Sequence, residues 1–306
     1  MSYNINSNNT SERRGGMEYI SPMVDVIFKK MFSREENKDM LRGLVKAFLE
    51  VDIGNDFKIA GNDLPPENPD EKFSRIDLHA SSDVGEVDIE VQVGADSNFV
   101  QRFVNYSMQL YISSVKRGDA VYKPRPVFGL GICGNNVLSN STEWFSENML
   151  MGTKTHLPLL DNFKVCFVEL NKVRSIKMDA LDAALSDERM AWAMYFRCRR
   201  EDQFNMLKEH TTIAEVQKAV DVLSSISTDP EMQELARRRM NNEIYKQSAL
   251  SAAKKEGRAE RDAELAANLK AMGMSDEQIK IALSGNGVQA QTPQVQKKPA
   301  PKHGRR

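Results

Sequence analysis

Arg75 to Val93 is the stretch that most restricts how this chain can fold. Ile76, Leu78 and Ala80 alternate with Arg75, Asp77 and His79; after Ser81 to Gly85, Val87, Ile89, Val91 and Val93 alternate with Asp88, Glu90 and Gln92. Period-two alternation in two arms around turn-forming residues reads as a β-hairpin with one apolar and one polar face. A loop at Ser82 to Gly85 pairs Asp77 with Glu90, Arg75 with Gln92 and His79 with Asp88, all pointing the same way. Like charges directly across a sheet cost about 0.2–1 kcal/mol. Two readings of the acidic pair follow: a solvated outer face with Arg75 as counter-charge, or a pair of oxygen ligands for a divalent cation.

Charge and cysteine usage restrict the setting. The formal net charge is -1 over 306 residues, so any contact with nucleic acid must come from local patches rather than overall charge. Cys133, Cys166 and Cys198 are odd in number and widely spaced, which argues for buried thiols in a reducing compartment. No apolar run approaches bilayer length and no apolar stretch follows the N-terminal charges. A cytoplasmic protein with no membrane segment is therefore expected.

Along the chain, the polar residues 1–16 are expected to be a disordered arm. Ser21-Pro22 reads as the start of a helix carrying Val24, Ile27, Phe28, Met31 and Phe32, with Asp25 and Lys29 together on another face. Met40, Leu41, Leu44, Val45, Phe48 and Leu49 stripe a second helix, about 36–50. Phe57 to Ala60 reads as a short strand, and the proline-rich Leu64 to Asp70 as a loop. After the hairpin, Asn98 to Ser114 is an amphipathic helix whose Phe99, Phe103, Tyr106 and Leu110 face a core while Gln101, Arg102, Asn105 and Gln109 share another side. Pro126 to Cys133 and Lys164 to Leu170 read as strands buried on both faces, joined by a surface excursion. The expected fold is α/β, a mixed β-sheet flanked by helices. From Asp179 onward the pattern is helical, including a long charged helix from Asp229-Pro230 and a capping box at Ser275 and Gln278.

The chemistry left to such a chain is narrow. The four histidines have no metal-ligand spacing, and there is no phosphate-binding glycine loop or nucleophile elbow. The acidic hairpin remains, and its oxygens suit Mg²⁺ or Mn²⁺, ions that support phosphodiester hydrolysis.

Asp77 followed by Glu90-Val91-Gln92 resembles the Asp…Glu-x-Gln core of the PD-(D/E)XK nuclease family transposases, or recombination-promoting nucleases. Pro22 to Phe32 is similar to that family's opening helix and Glu36 to Leu41 to its second; Arg102 to Tyr111, Phe167 to Leu170 and Lys255 to Glu260 match later landmarks in order. The resemblance implies a restriction-endonuclease-like fold and Mg²⁺-assisted cleavage of DNA. It places the metal on Asp77 and Glu90, puts Gln92 where the superfamily has lysine, and suggests Asp25 as a third acid. Arg75, opposite Gln92 in the hairpin register, is the candidate for the missing positive charge. Pro69-Asp70 matches the superfamily's name only superficially. The implied division is an arm (1–16), a nuclease-like domain (17–200), a helical region (201–284) for holding DNA or for homo-oligomer assembly, and a disordered basic tail (285–306). A catalytically idle scaffold that binds DNA or protein is the alternative.

Overall fold

The structure, a computed structural model, describes residues 19–60, 63–64, 74–115 and 122–283. The expected N-terminal arm, Pro69-Asp70 and the basic tail lie outside the described residues.

In chain order the elements are α1 (Asp25–Phe32), α2 (Lys38–Leu49), β1 (Lys58–Ile59), β2 (Asp63–Leu64), β3 (Ser74–Arg75), β4 (Leu78–Ser82), β5 (Gly85–Gln92), α3 (Phe99–Ser113), β6 (Val127–Cys133), β7 (Phe145–Met149), β8 (Phe163–Glu169), α4 (Leu181–Leu185), α5 (Glu188–Arg197), α6 (Glu201–His210), α7 (Ala214–Ser227), α8 (Pro230–Ala271) and α9 (Asp276–Leu283). Six strands form one mixed sheet in the order β1-β4-β5-β6-β8-β7. The β5/β6 and β6/β8 pairs are parallel, and α3 connects β5 to β6; β1, β4 and β7 run antiparallel to their neighbours. A parallel pair cannot be closed by a tight turn, so each needs a crossover, which is α3 between β5 and β6 and the segment holding β7 between β6 and β8.

The sheet is buried on both faces. On one, Leu78, Ile89, Leu130 and Val168 pack with residues of α1, α2 and α4 to α7; on the other, Val127, Val165 and Phe167 pack under Phe99 and Phe103 of α3. This explains the near-continuous apolar runs of β6 and β8. Helix α3 lies close because Gly129 offers no side chain: a Cβ there would stand 2.9 Å from Phe103 Cζ and Ser107 Oγ. The hairpin turns at Asp83-Val84, with Ser82 paired to Gly85. Gly85 has φ 151°, and a Cβ there would stand 2.5 Å from the Pro126 carbonyl oxygen.

Several expectations need adjustment. Ser21-Pro22 forms a turn, closed by Val24 N–H to the Ser21 carbonyl at 3.2 Å, and α1 begins only at Asp25. The surface excursion before β8 contains an edge strand, β7, whose Phe-Ser-Glu-Asn-Met sequence has little strand character of its own. Arg75 is not opposite Gln92. It pairs with Asp63 in a separate two-stranded ladder, and the β4/β5 ladder stops at Leu78 and Ile89. The cause is local: Ile76 is buried beneath α3, and the Asp77 amide bonds a side chain, the Glu90 carboxylate, rather than a strand carbonyl. The Arg75 side chain is outside the described residues.

Contacts group the chain into one unit up to Gln247 and a second from Ser248. Phe204, Leu207, Val216 and Leu223 of α6 and α7 belong to the same core as Leu44 of α2, so those helices are integral to the first unit. In the second unit, Ser275 and Gln278 form the expected capping box, Ser275 N–H to Gln278 Oε1 at 2.9 Å and Gln278 N–H to Ser275 Oγ at 3.3 Å. Among the described residues no helix is long and apolar enough to cross a membrane.

Candidate active site

The polar face of β5 carries Glu86, Asp88 and Glu90 in alternation, and α3 covers it. Three carboxylates in one buried row repel one another unless each is neutralised or protonated. They are treated differently. Glu86 accepts from Ser81 Oγ at 3.0 Å, lies 2.8 Å from His79 Nε2 and pairs with Arg125 at 2.9 Å. These partners outweigh burial and hold its carboxyl below the ordinary range, marking Glu86 as a structural ion pair.

Asp88 is 0% exposed. Ser107 Oγ donates to its Oδ2 at 2.9 Å, while Oδ1 has no hydrogen-bond partner among the described residues. Burial pushes its carboxyl up to about 8, with Asp77 adding to the rise. Glu90 is pushed up to about 9 by burial and by the neighbouring Asp77 and Asp88 charges.

Asp77 and β5 exchange two bonds, each from a backbone amide to a carboxylate. Asp77 N–H donates to Glu90 Oε1 at 2.8 Å, and Val91 N–H donates to Asp77 Oδ2 at 3.1 Å. This exchange replaces one rung of the ladder and brings both carboxylates to a cavity of about 530 Å³ at the end of β5. Lys29 of α1 stands 3.3 Å from Asp77 Oδ1. Burial lifts the Asp77 carboxyl, and the Lys29 ammonium pulls against that rise.

Gln92 and Asp25 line the same cavity. Both ends of the Gln92 amide are engaged: Nε2 donates to the Gly94 carbonyl at 2.9 Å, and Oε1 accepts from Arg102 Nη2 at 3.2 Å. Arg102, which also pairs with Asp96, is thus the guanidinium beside Gln92. Asp25 does not pair with Lys29 among the ion pairs of the described residues; its carboxylate lies 3.9 Å from Arg239 of α8.

Four groups of this site escaped the sequence reading: Asp88, Lys29, Arg102 and the α8 residues. Asp88 had a visible signal, since it shares the face of Glu90. Lys29 and Arg102 each lie on the polar side of a helix, where a cation is ordinary, and only their placement gives them meaning.

Among the described residues no three His, Cys, Asp or Glu side chains form a group that could hold a metal ion unaided. Two carboxylates nevertheless suit Mg²⁺, which keeps several waters and binds through one or two carboxylates together with substrate phosphates. Glu90 is raised by burial first and then by the Asp77 and Asp88 charges, and a bound cation would relieve that second, repulsive part.

No curated protein and no solved structure matches the chain. The sequence model of the PD-(D/E)XK nuclease family transposases matches residues 22–253, which spans α1 to the middle of α8 and includes every residue of the cavity. With that match over most of its length, and with a mixed sheet flanked by helices, the chain belongs to the PD-(D/E)XK nuclease family transposases.

Proposed function

We propose that the protein is a metal-dependent DNA endonuclease that hydrolyses phosphodiester bonds with Mg²⁺ or Mn²⁺, in the service of DNA recombination by a mobile element. The observation that carries this reading is that Asp77 and Glu90 line one cavity, each carboxylate fixed by a backbone amide, of Val91 and of Asp77 respectively. Asp77 and Glu90 would hold the ion. When bound, such an ion polarises a phosphoryl oxygen and lowers the pKa of a bound water.

The chain's own residues supply the rest. Lys29 brings an ammonium to Asp77 and offers the positive charge that the superfamily's lysine carries and Gln92 lacks. Gln92 is a positioning residue that ties Arg102 to the loop at Gly94 and keeps the guanidinium near Glu90. Arg75 is assigned no part in this scheme, because its strand leaves the β5 ladder before reaching the site. Asp25 lines the cavity as a further acid. The buried free thiols Cys133, Cys166 and Cys198 support a cytoplasmic setting.

Nicking of supercoiled plasmid decides the matter. Nicking with Mg²⁺ that is lost in EDTA and in Asp77→Ala is the expected result. Duplex binding without nicking under any divalent ion would overturn the enzyme reading in favour of an idle DNA-binding scaffold.

A further inference from the structure

Helix α8 forms one wall of the carboxylate cavity. Arg239, Asn242 and Lys246 line it, spaced three and four residues apart and therefore on one face of the helix. Asp25, Asp77 and Glu90 line the same cavity from α1 and the hairpin.

The wall is fixed in place. Met232 and Ala236 are buried, Met240 packs against the same core, and Gln247 Nε2 donates to the Ala95 carbonyl at 2.8 Å. Glu243 and Gln247 press so closely on Gly94 that a Cβ there would overlap both. Sequence pattern alone makes α8 a solvated charged helix, but this first part of it is docked beside the acids.

Its cations are available. Lys246 is exposed and makes no ion pair among the described residues. The Arg239 side chain is 51% exposed and touches Asp25 only at 3.9 Å. Glu243, the acid that lines the cavity from α8, accepts from Gln247 Nε2 at 3.0 Å.

Clustered carboxylates repel a phosphodiester, so a strand that approaches them needs cations on its far side. A guanidinium grips phosphate through its planar fork, an ammonium serves as a point charge, and an amide N–H₂ adds a donor.

We propose that Arg239, Asn242 and Lys246 form a phosphate-binding wall that holds the backbone of duplex DNA against the Asp77–Glu90 site. The inference rests on the nuclease reading and adds the surface that receives the substrate. It makes the first half of α8 part of the substrate site.

The experiment is binding of a short blunt duplex by the full-length protein in Ca²⁺, followed against salt concentration, with plasmid nicking in Mg²⁺ run on the same preparations. Removing two phosphate contacts with Arg239→Gln and Lys246→Gln together is expected to reduce the slope of log affinity against log salt by about 1.8 and to weaken binding about 10- to 100-fold near ~0.1 M salt. The charge-preserving pair Arg239→Lys and Lys246→Arg restores the slope. Lys254→Gln with Lys255→Gln removes the same charge from the same helix outside the cavity and leaves the slope unchanged.

Wild-type nicking combined with an unchanged slope in the Arg239/Lys246 double variant overturns the wall and leaves the nuclease reading standing. An equal loss from the Lys254/Lys255 pair overturns it in favour of diffuse charge. A wild-type protein that neither binds the duplex nor nicks plasmid overturns both.

Discussion

Replacing Asp88 with asparagine should stabilise the metal-free protein at neutral and mildly alkaline pH, although it removes an ionisable group and touches no surface. Asp88 is fully buried, its Oδ1 has no partner among the described residues, and burial raises its carboxyl to about 8. The same group in the unfolded chain titrates near its ordinary value of about 3.9. Below that value the carboxyl is protonated in both states, so the folded form keeps its full stability. Between about 4 and 8 the unfolded chain releases a proton that the folded chain retains, and stability falls by about 1.4 kcal/mol for each pH unit. Above the folded value the loss is complete. Asparagine never ionises, so its curve lacks this slope, and its amide still fits beside Ser107 Oγ. The advantage of Asp88→Asn over the wild type should grow by up to about 4 kcal/mol between pH ~5 and ~8. Urea unfolding in EDTA at several pH values across that window measures it directly. Parallel curves for the two proteins would refute the reasoning, because they would mean that Asp88 is charged in the folded state or reaches water.

Lys29→Gln removes the ammonium beside Asp77 and should slow nicking on the order of 10²-fold at saturating Mg²⁺ while tightening ion binding; calorimetric titration and rates checked together would assign Lys29 to charge balance alone if only the affinity moved. Gln92→Lys, which restores the lysine typical of the superfamily, should slow nicking as well, because the new ammonium would face Arg102 where Gln92 Oε1 now accepts its hydrogen bond; faster nicking than wild type would remove Gln92 from its positioning role. Gly129→Ala should destabilise by about 1–3 kcal/mol in urea unfolding, since its Cβ would meet Phe103, Ser107 and Val165 at 2.9–3.0 Å within the core. Mg²⁺ should raise the melting temperature of the wild type by mass action and fail to do so in Asp77→Asn; equal shifts in both would place the ion elsewhere.

Periodicity alone was enough for the acidic hairpin, the aromatic face of α3, the doubly buried strands β6 and β8 and the capping box of α9, because these features come from repeats of two or 3.6 residues and from local hydrogen bonds. The register that brings Asp77 close to Glu90 was also legible, since a loop at Ser82 to Gly85 and a period of two leave few registers, although the ladder itself ends at Leu78 and Ile89. The edge strand β7 was not, because its pairing with β8 supplies the order that its own residues do not. Nor was the fate of Arg75: alternation extends the hairpin smoothly through Ile76, whereas burial of Ile76 under α3 and the claim of Glu90 on the Asp77 amide end the ladder.

Sequence by itself thus determined that Asp77 and Glu90 come close, because they are neighbours across one hairpin. Which cations meet those acids, Lys29 from α1, Arg102 from α3 and Arg239 and Lys246 from α8, was decided only by tertiary packing. Each of these residues sits on an ordinary polar helix face, and a charge acquires a role from what lies within a few ångströms of it, a distance set by how the helices dock and not by spacing along the chain.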